Sequence, residues 1–166
     1  MNTILYMSTS LDGFIAKKDG NSDWVSELDA QLFDAKVKEI GCILVGKTTY
    51  DQYQGDLYPI SGVTNIVLTH QKVNDTENVC FASSPKEALA IAKDKGHSNV
   101  LLVGGGHTNG SFLKEGLINE TIITVYPLIL GEGIKLFENF GDQVNLEFIG
   151  SKELGEGLIQ LRCKVG

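Results

Sequence analysis

Short runs of almost entirely apolar residues constrain the fold of this chain more than any other feature. Three such runs, Cys42–Gly46, Asn65–Thr69 and Asn99–Val103, are each five residues long and are bounded by turn residues or helical patterns. A strand that lacks a polar face cannot lie against water on either side. The sequence therefore predicts a mostly parallel sheet that is covered by helices on both faces.

Helical patterns alternate with these runs. The spacing of apolar residues between Leu32 and Ile40 predicts a helix over Asp29–Ile40, with Gly41 as its C-terminal cap. The other predicted elements are helices from Pro85 to Lys95 and over about Thr108–Glu115, and strands over Thr3–Thr9, Val79–Ala82, Glu120–Tyr126 and Leu158–Val165. Because no helix separates the C-terminal strands, we expect an antiparallel pair at one edge of the sheet. The predicted fold class is α/β, a three-layer α/β/α sandwich with a mixed, mostly parallel sheet.

Length and charge limit the number of domains and the kinds of partner. The chain has 166 residues, enough for one domain over residues 1–166, and its formal charge of −7 disfavours broad binding of nucleic acid. No apolar run approaches the ~20 residues that cross a membrane, and the N-terminus lacks the basic segment of a signal peptide. The cysteines, Cys42, Cys80 and Cys163, lie in separate apolar runs and are expected to be buried rather than to bind metal. We expect a cytoplasmic protein with a small-molecule ligand, without metal, membrane or nucleic-acid partners.

Glycines and polar residues follow several predicted strands. The sequence after Cys42–Val45 is Gly46-Lys47-Thr48-Thr49, and after Val100–Val103 it is Gly104-Gly105-Gly106-His107-Thr108-Asn109. In open α/β sheets, ligands bind beyond the carboxyl ends of the strands. The three glycines would allow close approach to a diphosphate, although a tight turn without a ligand explains them too.

Two further patterns have more than one interpretation. Lys47, Thr48, Thr49 and His70 could bind a 2′-phosphate, or Lys47 and His70 could be ordinary surface residues. The segment from Gly41 to Thr48 fits the P-loop pattern, but its spacer residues are themselves a predicted strand. The context therefore disfavours a nucleotide-hydrolase loop.

Six segments in order resemble the dihydrofolate-reductase-like family, and most closely the reductase domain of the bifunctional bacterial riboflavin biosynthesis protein, here as a stand-alone member. They are Ser10-Leu11-Asp12-Gly13-Phe14-Ile15-Ala16, Asp29–Phe33, Val45–Tyr50, Ile66–Thr69, Val103–Gly106 and Pro127–Phe137. The resemblance covers essentially the whole chain. No single motif is specific, but the order of all six is.

The resemblance implies NADPH as the hydride donor and assigns residues to three parts of a cleft. The implied cofactor residues are Gly46, Lys47, Thr48, Thr49, Thr69 and His70 for the adenosine phosphate, Val103, Gly104, Gly105, Gly106, His107, Thr108 and Asn109 for the diphosphate, and Ser8, Ile15 and Ala16 for the nicotinamide. The implied substrate residues are Tyr6, Trp24 and Asp29. Asp29 and Asp12 are the candidate catalytic acids. Their alternative roles are a helix N-cap for Asp29 and a turn residue for Asp12.

One departure leaves the substrate open. The resembled reductase typically binds a ribose phosphate through arginines, whereas this chain has a single arginine, Arg162, and no zinc-ligand spacing of a deaminase domain. The expected reaction is NADPH-dependent reduction of a pyrimidine such as 5-amino-6-(5-phosphoribosylamino)uracil, or of a pterin- or folate-like ring. The alternative is a non-catalytic nucleotide-binding or regulatory protein of the same fold. A homodimer is also expected, from the resemblance and from an alternating apolar pattern in Leu158–Val165 at a predicted sheet edge.

Overall fold

A computed structural model describes all 166 residues of the chain. Strands and helices alternate through most of it, and strands alone form its C-terminal part. The elements are β1 Asn2–Ser10, β2 Phe14–Ala16, α1 Glu27–Ile40, β3 Cys42–Gly46, α2 Lys47–Gln52, β4 Thr64–Leu68, β5 Val79–Ala82, α3 Pro85–Asp94, β6 Asn99–Leu102, α4 Gly106–Lys114, β7 Glu120–Tyr126, β8 Ile134–Lys135, β9 Leu146–Gly155 and β10 Leu158–Val165.

Eight strands form one sheet in the order β5-β4-β3-β6-β1-β7-β10-β9. The first six strands in that order pair in parallel, and β10 runs antiparallel to both β7 and β9. Strands β2 and β8 form a separate antiparallel pair. The prediction of a mixed, mostly parallel sheet with an antiparallel C-terminal edge is confirmed.

Each face of the sheet has its own apolar core, because successive residues of a strand point to opposite faces. Ile4 and Ile43 lie in one core with Val37 of α1. Leu44 lies in the other core with Ala88 of α3 and Phe112 of α4. The helices therefore cover both faces, and the molecule has the three predicted layers.

Local signals explain where the helices begin and end. Ser26 caps α1, since its hydroxyl oxygen accepts a hydrogen bond from the Asp29 N–H at 3.3 Å, and Gly41 ends the helix with a φ of 76°. Ser84 caps α3 in the same way, with Pro85 in its first turn. The helix predicted over Asp29–Ile40 thus begins earlier, at Glu27, and the interpretation of Asp29 as its N-cap is wrong.

Four elements were not predicted from the sequence, and one position in the sheet was predicted wrongly. The unpredicted elements are β2, α2, β8 and β9. Strand β9 escapes recognition because Leu146–Gly155 is mostly exposed and its apolar residues do not alternate regularly with polar ones. Its presence moves β10 from the predicted sheet edge to a position between β7 and β9. None of the helices is long and apolar enough to cross a membrane.

Candidate active site

A cleft of about 810 Å³ opens at the carboxyl ends of the central parallel strands. The residues that follow β3, β4 and β6 line it, together with Tyr6 and Ser8 of β1, as expected for an open α/β sheet. Most of the residues predicted for cofactor and substrate lie along its walls. They are Tyr6, Ser8, Ile15, Ala16, Asp29, Gly46, Lys47, Thr48, Thr49, Thr69, His70, Val103, Gly105, Gly106, His107 and Thr108.

Four predicted site residues lie outside the cleft lining. The Asp12 carboxyl group accepts hydrogen bonds from the Leu130 and Gly131 N–H groups at 3.1 and 2.8 Å, which is the role of a turn residue. A hydrogen bond from the Ser10 side chain, followed by those backbone bonds, lowers the pKa of Asp12. Trp24 packs edge-on against the Tyr126 ring, with centroids 4.9 Å apart.

The other two are Gly104, in the β6–α4 turn, and Asn109, in the first turn of α4. The Asn109 side-chain amide donates to the Leu136 carbonyl oxygen at 2.9 Å, so this residue holds the segment after β8 rather than facing the cleft. Gly104 has a φ of 96°, and a Cβ atom there would approach the thioether of Met7 within 3.3 Å. The conformation of the turn therefore requires glycine at position 104.

Two helices begin at the cleft without side-chain caps. Gly46 is the N-cap of α2 and Gly105 is the N-cap of α4, and neither turn supplies a side-chain acceptor for the first N–H groups. The turns interlock, since the Gly46 N–H donates to the Gly104 carbonyl oxygen at 2.8 Å. Free N–H groups at a helix N-terminus favour an anion. The segment from Gly41 to Thr48 is not a P-loop, because its spacer residues form β3.

The glycines of the β6–α4 turn differ in what surrounds them. A Cβ atom on Gly105 would lie 2.8 Å from the Thr49 hydroxyl oxygen, a side chain of the other turn. A Cβ atom on Gly106 would collide with the backbone carbonyl of Lys135. The packing of the chain thus requires Gly106 to be glycine whether or not a ligand is bound.

Lys47 is paired within its own helix. Its ammonium group lies 2.5 Å from the carboxyl group of Asp51, one turn further along α2, and both residues line the cleft. The sequence analysis did not pair Lys47 with an acidic residue. The one-turn spacing between Lys47 and Asp51 was the available signal, since residues four apart on a helix are neighbours.

Asp29 lies at the centre of a buried hydrogen-bond network. Its side chain is 1% exposed, and its Oδ2 atom accepts from the Ser8 hydroxyl at 2.5 Å and from the Tyr126 hydroxyl at 2.9 Å. Tyr126 in turn accepts a hydrogen bond from the Ser26 N–H at 3.0 Å. The Oδ1 atom of Asp29 is buried without a partner on the wall of the cleft. A buried acceptor without a donor points to a ligand that supplies one.

Tyrosines beside Asp29 stay protonated to high pH. Burial, followed by the nearby charge of Asp29, raises the pKa of Tyr6 to about 12. Burial also raises the pKa of Tyr126. The Tyr6 ring lies 6.0 Å from the Phe33 ring, and both residues line the cleft together with Asp29. Tyr126 and Phe33 were not predicted as site residues, because their positions depend on packing between distant segments.

Comparison with known proteins identifies the family. The sequence profile of the RibD C-terminal domain matches residues 2–160. The chain belongs to the RibD C-terminal domain family. Its relatives in this family include a protein of Bacillus subtilis named uncharacterized protein YwjB, which is 32% identical over 164 residues, or 94% of each chain.

Other members of the RibD C-terminal domain family are parts of longer proteins. The riboflavin biosynthesis protein RibD of Mycobacterium tuberculosis is 30% identical over 152 residues, which are 81% of this chain but 44% of that protein.

A solved structure from Shewanella sp. PV-4, provisionally named a riboflavin biosynthesis protein, covers 100% of this chain and 99% of its own, with a TM-score of 0.80 at 27% identity.

The fold is the dihydrofolate-reductase-like fold, as the resemblance implied. A deaminase/5-amino-6-(5-phosphoribosylamino)uracil reductase of Thermotoga maritima shares it at a TM-score of 0.78 and 16% identity, over 99% of this chain and 56% of that one. Membership of the RibD C-terminal domain family supports a function like that of a pyrimidine reductase, within the oxidoreductases.

Proposed function

We propose that this protein is an NADPH-dependent reductase that transfers a hydride to a small heterocyclic substrate, a pyrimidine or a pterin-like ring. One observation carries the proposal. Two helix N-termini without side-chain caps open into the same cleft as a buried carboxyl group with a free oxygen. The first feature suits the phosphates of a dinucleotide, and the second suits the polar edge of a ring.

The residues of the cleft fit the cofactor. The N–H groups after Gly46 and Gly105 would hold the diphosphate, and Lys47 with Thr48 would supply a cation and a hydroxyl group for the 2′-phosphate. Ile15 and Ala16 line the cleft between these turns and Asp29, and provide apolar surface for a nicotinamide ring. When bound, NADPH supplies the hydride with its two electrons.

Asp29 would orient the substrate rather than carry electrons. The Ser8 and Tyr126 hydroxyls occupy Oδ2, so only Oδ1 is available to accept an N–H or O–H of the ring. That contact fixes which carbon of the ring faces the nicotinamide. A hydride delivered to the carbon of a C=N or C=O bond would leave the heteroatom to take one proton, which water in the open cleft would supply, so that the reaction balances.

A direct test of the cofactor is a fluorescence titration with NADPH, followed by assays of NADPH oxidation. The substrates are 5-amino-6-(5-phosphoribosylamino)uracil, unphosphorylated pyrimidines, and pterins. Tight NADPH binding with oxidation by one of these rings supports the proposal. Binding without oxidation on any ring favours the non-catalytic nucleotide-binding or regulatory alternative.

The role of Asp29 is tested by Asp29→Asn. We expect unchanged NADPH affinity and a loss of turnover of about 100-fold or more, the scale of a misaligned ring. Loss of a helix cap cannot account for this result, since Ser26 provides the cap of α1. Glu39→Gln is a matched control on the same helix, because Glu39 is exposed and paired with Lys36 outside the cleft. Equal turnover in both variants would contradict the assignment.

We also propose that two copies of the chain pair through the outer part of the sheet. Leu146, Phe148, Ile159 and Leu161 are between 37% and 64% exposed. The β9–β10 register pairs Leu146 with Val165 and Phe148 with Cys163, so the four side chains share one face. An apolar patch of this size on a sheet face suits a twofold interface.

A further inference from the structure

Two short strands, β2 and β8, form part of the cleft wall without belonging to the main sheet. Strand β2 has three residues and β8 has two, and the two strands pair only with each other. Ile15 and Ala16 of β2 and Ile134 of β8 line the cleft, and we call these three residues the β2–β8 wall. An isolated pair of strands is marginally stable at best, so the position of this wall depends on the contacts that fasten it.

The segment after β8 is fastened to α4 and to the turn before β2. The Asn109 amide donates to the Leu136 carbonyl oxygen at 2.9 Å, and the Glu138 N–H donates to the Gly106 carbonyl oxygen at 3.0 Å. The Leu136 N–H donates to the Gly13 carbonyl oxygen at 3.0 Å. These contacts hold the exit from β8 against the turn where the diphosphate of the cofactor is proposed to bind.

Asp12 fastens the two segments through which the chain enters β2 and β8. It lies in the turn before β2, and its carboxyl group accepts the Leu130 and Gly131 N–H groups of the segment before β8, at 3.1 and 2.8 Å. We call these two hydrogen bonds the Asp12 clamp. A backbone hydrogen bond joins the same segments, from the Leu11 N–H to the Leu128 carbonyl oxygen at 2.8 Å.

Side-chain packing adds little to this fastening. Leu11 is 66% exposed and Ile129 is 71% exposed, so the apolar side chains of the two segments bury little surface. An ion pair between Lys18 and Glu132, at 2.6 Å, connects the residues after β2 with the segment before β8, but both side chains are largely exposed. Exposed ion pairs contribute little to stability. The arrangement of the two segments therefore depends on the Asp12 clamp.

We propose that Asp12 is a positioning residue of the cofactor site, which holds the β2–β8 wall in place against the nicotinamide ring. The proposal rests on the proposed function for the identity of the cofactor. Asp12 is not part of the cleft lining, so it acts through Ile15, Ala16 and Ile134 and not by contact with a ligand. Its role is thus neither that of a catalytic acid nor only that of a turn residue.

The clamp should affect one half of the cofactor only. The β2–β8 wall borders the proposed position of the nicotinamide, whereas Lys47 and His70 line the cleft at the ends of β3 and β4. Loss of the clamp would let the wall shift and would leave the residues proposed for the adenosine phosphate in place. A change that merely destabilises the whole protein would weaken the binding of both halves alike.

Calorimetric titration with NADPH and with adenosine 2′,5′-bisphosphate, which lacks the nicotinamide, separates these outcomes. We expect Asp12→Ala to weaken NADPH by about tenfold, within the free energy that two hydrogen bonds to a carboxylate contribute, and to leave the affinity for the bisphosphate unchanged. Asp12→Asn should have an intermediate effect, because its amide oxygen can accept one N–H group while its NH₂ group opposes the other. Since Asp12 is exposed, both variants are expected to fold.

Glu132→Gln is the matched control for this titration. It removes a carboxylate from the segment before β8, but that carboxylate pairs with a lysine and accepts no backbone N–H group. The control should bind both ligands as the wild-type protein does. Equal losses for NADPH and the bisphosphate in Asp12→Ala, or no loss for either, would overturn the role of Asp12 and leave an NADPH-dependent reductase intact.

Hydrogen exchange without a ligand tests the clamp directly. In Asp12→Ala we expect faster exchange of the amides in β2 and β8, and unchanged exchange in the buried strands β3 and β4. Unchanged exchange in β2 and β8 would show that Asp12 does not hold the wall, whatever the protein binds. Failure of the wild-type protein to bind NADPH would instead end the proposed function, and with it the role of Asp12 toward the nicotinamide.

Discussion

Asp29 illustrates how one residue acquires its role from three neighbours. Ser26 caps α1, so the side chain of Asp29 is not needed for capping and turns into the protein. There the hydroxyls of Ser8 and Tyr126 hold one of its oxygens. The other oxygen is left for a ligand. A Ser-x-x-Asp pattern at a helix start is an ordinary capping signature, so it gives no indication that Asp29 is a candidate site residue.

Tyr6 makes the stability of the protein sensitive to alkaline pH. Its pKa is raised from 10.0 to about 12, chiefly by burial and next by the charge of Asp29. The folded state therefore keeps this proton at a pH where the unfolded chain has lost it. The free energy of unfolding should fall as pH rises between about 10 and 12, and be unaffected by this group below that range.

The measurement compares urea unfolding of the wild-type protein and of Tyr6→Phe at neutral pH and near the top of that window. The variant has no proton to lose, so the wild type should lose more stability than the variant on raising the pH. Parallel losses in the two proteins would show that Tyr6 is not responsible.

At the scale of elements, the two interlocked turns before α2 and α4 determine how closely a ligand can approach. Gly105 faces the Thr49 side chain of α2, whereas Gly106 lies against the backbone of β8. Substitution of Gly106 therefore tests packing of the chain and says little about a ligand. Gly105 has a φ of −73°, which any residue can adopt, so a side chain there tests space alone.

We expect Gly105→Ala in a Thr49→Ala background to fold with nearly the stability of Thr49→Ala alone. The second change removes the hydroxyl that the new Cβ atom would meet. If the turn cradles a diphosphate, the double variant should nevertheless lose NADPH affinity by about tenfold or more relative to Thr49→Ala. Unchanged affinity would assign these glycines to the turn only. Thermal unfolding and NADPH fluorescence provide the two readouts.

The start of α2 should discriminate between the two nicotinamide cofactors. Lys47→Ala removes the only lysine of the cleft lining, and we expect it to weaken NADPH by about 1–2 kcal/mol while NADH binding changes little. The pairing with Asp51 favours the lower part of that range, since the ammonium group must leave one partner for another. Titration of both cofactors with both proteins measures the difference. Equal losses of affinity for NADPH and NADH would contradict the assignment of Lys47 to the 2′-phosphate.

At the scale of the whole molecule, the antiparallel extension has an uncovered face. Helices α3 and α4 cover the central strands on that side, but Phe148 remains 64% exposed and Leu146 50% exposed. The sequence pattern predicted pairing of two copies through β10 as an edge strand, but β9 occupies that edge of the sheet. The face of β9 and β10, rather than the edge, is the surface that we expect to pair.

Phe148→Asp should convert the dimer to monomers, because a charge at the centre of an apolar interface loses its water without a partner. Light scattering at micromolar concentration measures the mass. Lys152→Glu is a suitable control, since its partner in the register, Gln160, points to the other face of the sheet. An 18.0 kDa species for the wild-type protein would contradict the dimer.

Local patterns in the sequence were sufficient for the bounds of several strands. Strands β3, β5, β7 and β10 have the predicted bounds, since unbroken or alternating apolar runs depend only on neighbouring residues. The same holds for the end of α1 at Gly41, where a glycine adopts a positive φ. Most of the residues predicted from the polar clusters after the strands line the cleft, because parallel strands carry their carboxyl ends to one side.

The tertiary structure alone decided which side chains meet. Asp29 and Tyr126 are 97 positions apart and bond because β7 lies beside β1 and the side chain of Asp29 reaches a residue of each strand. Likewise, β9 forms because β10 offers it an edge, although its own residues are mostly exposed. Contacts between distant segments depend on the packing of the whole sheet, so a local sequence pattern does not specify them.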